Sequence, residues 1–186
     1  MYRMSSPDEI TRRIWESYEV PDGLRAEYFG GEIIMQANPT HLHDLVGRVF
    51  SRTVPEPFEA WVERGIDLGV GGQPRPDVAI ARGEDIPETV RDWPAELVLA
   101  VVETVSGGRG QARRDYEDKR EAYEAAGIPV YVIVDPRDAT WLVLSMHDGK
   151  YSEHSTGVFG TPITLPPPLG ISVPTVAFHQ YPEDQR

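Results

Sequence analysis

Residues 97–135, LVLAVVETVSGGRGQARRDYEDKREAYEAAGIPVYVIVD, constrain the fold more than any other stretch. Residues 97–104 are apolar on both faces up to Glu103, which predicts a central strand covered on both sides. Residues 109–126 carry amphipathic spacing closed by Gly127, and so predict a helix. Residues 130–134 form a second apolar run, ending at Asp135-Pro136. A strand, a crossover helix and a strand should place the two strands parallel, with a right-handed connection. A carboxylate at the end of such a strand cannot sit buried without a partner. Glu103 therefore needs a cation or a donor, unless the strand emerges into water there.

The flanking segments extend this unit. Residues 6–19 predict a helix, with Ser6 as cap, Pro7 in the first turn and Glu9 completing a capping box. Residues 24–29 and 32–37, joined by Gly30-Gly31, read as a hairpin. Residues 40–54 predict a second helix, stopped by Pro55 and Pro57. Residues 60–68 predict a strand, and residues 78–81 a short one opened by Asp77. Residues 83–94 read as a polar loop. Residues 141–146 and 151–155 flank His147-Asp148-Gly149, a hairpin signal. From Thr161 onward the chain is Pro-rich and reads as a wrapped extension. The expectation is one α/β domain over residues 1–186, with an N-terminal helix in 1–22, a Pro-rich extension in 160–186, and helices on the faces of a central sheet.

Totals narrow the function. The 186 residues suffice for one sizeable core, and 40% hydrophobic with 26% charged residues is an ordinary globular balance. No run approaches the length of a membrane span, and no signal-peptide core opens the chain, so the expected location is cytoplasmic. With no Cys, disulfides and thiolate metal sites are excluded. The net charge of −12 argues against tight duplex binding, because phosphate neutralisation supplies most non-specific affinity. It does not argue against phosphodiester chemistry, given a local basic patch or a divalent metal. Arg109, Arg113, Arg114, Lys119 and Arg120, interrupted by Asp115, Glu117 and Asp118, form a weak patch of that kind.

Individually, the candidate residues have plain readings. Asp77 suits a turn before a strand. Lys119 lies four residues after Asp115 and reads as half of a surface ion pair. Glu32 reads as a solvent-facing hairpin residue. His43 opens an amphipathic helix and reads as a surface or capping His. His41, His147, His154 and His179 show no ligand spacing, and Asp135 reads as a strand-end turn residue.

As an ordered set, RPDVAI, VVETVS, DYEDKREAY and AAGIPVYVIVD resemble the PD-(D/E)XK nuclease superfamily, with its restriction-endonuclease-like fold. The closer resemblance is to the Uma-two-type "putative restriction endonuclease" family, and it covers most of residues 24–146. It implies a central mixed sheet flanked by helices, with added hairpins. It implies magnesium, or manganese in its place, held by Asp77 and Glu103 with the Thr104 carbonyl as a third ligand, and Lys119 assisting hydrolysis of DNA. Glu32 matches a Gly-Glu position of the family as an extra ligand, and His43 matches a family histidine. The family also suggests a homodimer. In this chain Val105 stands where the superfamily's usual lysine would be, so the role passes to Lys119 on the next helix. Ser106-Gly107-Gly108 stands where the family tends to carry Ser-Pro-Ser.

Two other classes compete. One is a catalytically degenerate member of the fold that binds nucleic acid or protein, which the acidity and the altered glycine loop favour. The other is a carboxylate-pair glycosidase, which has no need of Lys119 and would call for clustered aromatics that the chain lacks.

Overall fold

The computed structural model describes residues 7–22, 24–37, 41–106 and 113–183. The elements run α1 (Pro7–Ser17), β1 (Leu24–Phe29), β2 (Glu32–Ala37), α2 (His41–Thr53), β3 (Phe58–Val62), β4 (Ile66–Asp67), β5 (Gly72–Gln73), β6 (Val78–Arg82), β7 (Trp93–Pro94) and β8 (Val98–Thr104). A π turn (Arg114–Asp118) then leads into α3 (Lys119–Ala125), followed by β9 (Val130–Asp135), β10 (Thr140–His147), β11 (Lys150–Val158), β12 (Ile163–Thr164) and β13 (Ser172–Val173).

Six strands form the central sheet in the order β11-β10-β9-β8-β6-β3. The β8–β9 pair is parallel, as the strand–helix–strand unit requires, and its neighbours are antiparallel. The sheet is therefore mixed, as expected. Alternate side chains feed two separate cores. Val78, Ile80, Ala100, Val102, Val130, Val132 and Val134 face Val46 and Phe50 of α2 and the residues of the tail. Ala79, Ala81, Val101, Tyr131 and Ile133 face Tyr123 of α3, Ile66 and Trp93. Burial on both sides explains the unbroken apolar runs of β8 and β9. The tail is wrapped as expected: Leu165, Leu169, Ile171 and Phe178 complete the first core, and the Tyr181 N–H donates to the Pro136 carbonyl at 2.8 Å.

The hairpin β1–β2 forms where expected and joins β5 in a separate three-stranded sheet. The turn between β10 and β11 places Asp148 at φ 49° and Gly149 at φ 77°. Two left-handed residues in sequence suit Asp-Gly and match the strand twist.

The structure departs from expectation in two places that matter to the site. The single strand expected over 60–68 is two pieces, β3 and β4. Glu63 breaks it by adopting φ 53°, while its N–H donates to the Asp77 carbonyl at 3.1 Å. Past the break, β4 pairs in parallel with β7, and Gly65 there lies against the Asp92 carboxylate. The second departure is the π turn, where the helical spacing predicts a regular helix. The Ser6 cap, Gly107-Gly108 and Arg109 lie outside the described residues. Among the described residues no helix is long and apolar enough to cross a membrane.

The two-faced sheet makes a stability prediction. Ile133, fully buried on β9, should cost about 2–5 kcal/mol as Ile133→Ala in urea unfolding. Val176→Ala, at a position 77% exposed, should change stability by less than about 0.5 kcal/mol. Equal effects would contradict the core assignment.

Candidate active site

Asp77 immediately precedes β6, and Glu103 is the penultimate residue of β8. The register pairs Val78 with Val102, so Asp77 lies beside the Glu103–Thr104 step. The Thr104 N–H donates to Asp77 Oδ2 at 2.7 Å. That bond orients one carboxylate against the backbone that carries the other.

Helix α3 supplies the cation. The Lys119 ammonium donates to Glu103 Oε1 at 2.8 Å and lies 3.5 Å from Glu27 Oε2. One turn further, the Tyr123 hydroxyl donates to the same Glu103 oxygen at 2.8 Å. Lys119 and Glu103 are each only 4% exposed. The surface ion pair that spacing suggests between Lys119 and Asp115 is therefore not the arrangement found. Both residues are buried, and Lys119 pairs with Glu103 and Glu27. The π turn carries Asp115 into the fold just before Lys119, and the Tyr131 hydroxyl donates to the Asp115 carbonyl at 2.7 Å.

Glu27, Asp77, Glu103 and Asp115 are all buried. Asp77, Glu103, Asp115 and Lys119 line one small polar pocket, together with Arg25, Arg75, Arg114 and His43. The electrostatics follow from this crowding. Burial pushes the Glu103 carboxyl up to about 8, opposed by Lys119 and reinforced by Asp115, Asp77 and Glu27. Burial likewise raises Asp115 to about 7, with Lys119 opposing. Burial alone would lower Lys119, but Glu103, Glu27 and Asp115 outweigh it and hold the ammonium charged. Arg25 is already committed, with Nη1 2.7 Å from Glu63 and 4.0 Å from Asp77.

The donor set suits a hard divalent cation. Its ligands are carboxylate oxygens carrying surplus negative charge, and Glu27 Oε1 is buried with no hydrogen-bond partner. Among the described residues no three His, Asp or Glu side chains close into a ready metal cage. A cation here would rest on Asp77 and Glu103 and keep several waters, the habit of magnesium. The Thr104 carbonyl lies 3.1 Å from His43 Nε2, and a carbonyl's second lone pair remains for another partner.

Asp77, Glu103 and Lys119 are thus brought together. Glu32 is not: it is exposed beside the hairpin turn and lines a neighbouring groove. The hairpin acid that reaches Lys119 is Glu27, on the paired strand. It carried the same signal as Glu103, a carboxylate set among apolar neighbours (Ala26, Tyr28 and Phe29). His43 is buried, not a surface or capping residue, and also lies 3.2 Å from Ser106 Oγ. Asp135 ends β9 as the strand-end turn residue expected, with Oδ1 accepting the Arg137 N–H at 3.0 Å; it is also buried and accepts from the Arg137 guanidinium and the Tyr116 hydroxyl.

No curated protein matches the chain. Among solved structures, the chain is similar to a putative nuclease belonging to DUF820 from Anabaena variabilis ATCC 29413. The TM-score is 0.59 at 17% identity, covering 82% of this chain and 87% of that one. At that identity the likeness establishes the fold. The profile of one family, Uma2, described as "Putative restriction endonuclease", matches residues 13–176. With nearly the whole chain matched and the restriction-endonuclease-like fold in place, the chain belongs to the Uma2 family.

Proposed function

We propose that the pocket is the hydrolytic centre of a divalent-cation-dependent endonuclease acting on DNA. The observation that carries this reading is the convergence of Asp77, Glu103 and Lys119 at the ends of two adjacent strands. In the proposed site Asp77 and Glu103 hold magnesium, with manganese as a substitute. The cation, when bound, neutralises phosphate charge and acidifies a nearby water.

The chain's own residues do the rest. The Thr104 N–H and Tyr123 hydroxyl each engage one oxygen of a site carboxylate. Among the described residues Glu103 Oε2 accepts no hydrogen bond, and Asp77 Oδ1 meets only the Arg25 guanidinium, at 4.0 Å. Lys119 orients the attacking water and stabilises charge that develops on the phosphate. Glu27 shares the ammonium and sets its position.

One observation favours a second reading, a silent member of the fold that only binds. Lys119 is locked between Glu103 and Glu27, and a buried pair of that kind is also a structural element.

Titration calorimetry with magnesium separates the metal site from a purely structural cluster. Wild type should bind, and Asp77→Ala and Glu103→Ala should not. The sign of the proton effect is fixed by the raised carboxyls. Burial, with the neighbouring acids adding to it, raises the Glu103 and Asp115 carboxyls, so the acid cluster holds on to protons that a bound cation has to displace. Binding should therefore release protons and tighten from pH 6 to pH 8. Wild type and Asp77→Ala giving the same heats would remove the metal reading.

Nicking of supercoiled plasmid in manganese tests turnover. Glu103→Ala and Lys119→Met should each lower the rate by at least roughly a hundredfold, the loss typical of a removed charge-stabilising group. Lys119→Met leaves buried carboxylates unpaired, at a cost of about 3–5 kcal/mol, so its fold is checked by near-UV circular dichroism. A wild-type protein that binds metal but cuts neither the plasmid nor a single-stranded DNA circle would move the assignment to the silent reading.

A further inference from the structure

The π turn delivers two consecutive residues to different places. Asp115 is buried in the site, whereas Arg114 is half-buried and lines both the site pocket and the wider, open groove beside it. The other two arginines of the pocket are committed. Arg25 pairs with Glu63, and Arg75 with Asp92. Among the described residues Arg114 makes no hydrogen bond or ion pair. In a chain of net charge −12, an uncommitted guanidinium at the junction of two cavities is the group best placed to receive an anion. Its planar donors match phosphate geometry.

The groove beyond it constrains the strand. Among the described residues Arg114 is its one lining cation, set against exposed Glu32, Asp118 and Glu121, with Phe29 and Ile34 adding apolar lining. A duplex brings one negative charge for about every 1.7 Å of axis and needs many cations to offset them. The site carboxylates and Lys119 are also nearly covered, so a scissile phosphate has to turn into a recess. A single strand can do this, because its backbone is free to bend. On these grounds we infer that Arg114 holds the phosphate next to the scissile one, and that the groove takes an unpaired strand of nucleic acid. The inference rests on the nuclease reading and adds its substrate class.

Fluorescence anisotropy of labelled (dT)8 and of a duplex of the same length tests it. Calcium replaces magnesium, since it takes the same oxygen ligands, and the oligonucleotide is confirmed intact by gel afterwards. Wild type should bind (dT)8 more tightly than the duplex. Arg114→Ala should weaken (dT)8 binding roughly tenfold, the scale of one charge-assisted hydrogen bond. It should also flatten the dependence of log affinity on log salt by about 0.7. Arg114→Lys should restore the salt dependence and part of the affinity. Magnesium heats unchanged in Arg114→Ala would show that the metal site is intact. Unchanged affinity and salt slope in Arg114→Ala, or tighter duplex binding by wild type, would overturn the inference. Failure of wild type to bind either oligonucleotide would overturn it too, while the metal reading would still stand on its own titration.

Discussion

The contact between Lys119 and Glu103 organises this molecule. It joins the crossover helix to the central strand across 2.8 Å in a region almost closed to solvent. Neither charge is tolerable there alone, because removing ions from water costs several kcal/mol each. The pair is also unbalanced. Glu27 and Asp115 crowd the same ammonium, so the acids exceed the cation they share. Burial first, and the neighbouring acids second, raise the Glu103 and Asp115 carboxyls above the usual carboxylate range.

Topology explains why these residues meet. The antiparallel register of β6 and β8 sets Asp77 against the end of β8, and the parallel step to β9 obliges α3 to cross the sheet and return. The helical spacing of Lys119 and Tyr123 then puts both on Glu103. The break at Glu63 serves the same end, since its N–H donates to the Asp77 carbonyl. The first sheet adds Glu27 from outside the crossover unit. The site thus draws on two sheets and two helices, whereas each core lies on one face of the central sheet.

How much of this was legible in the sequence depended on whether a local rule had a single outcome. Glu103 was legible because a carboxylate at the end of a doubly apolar strand must find a partner. The parallel β8–β9 pair followed from the connection length. Asp77 was ambiguous by itself, and Lys119 became a site residue only through the family resemblance. The π turn left no trace, since Asp115 and Lys119 keep ordinary helical spacing whichever ladder forms. Glu27 and Glu32 show the limit most clearly. Both lie in one hairpin, and the resemblance pointed to Gly-Glu at the turn, while tertiary packing against Lys119 selected the acid in mid-strand. His43 was misread for a similar reason, because its partners Thr104 and Ser106 are some 60 residues away.

Location of the cation itself is the most direct test of the account. Crystals grown with manganese, with data collected at its absorption edge, would place the ion by anomalous scattering. The account predicts a peak between the Asp77 and Glu103 carboxylates, with Lys119 still beside Glu103. An absent peak, or one remote from both carboxylates, would contradict it and leave Lys119–Glu103 as a structural ion pair.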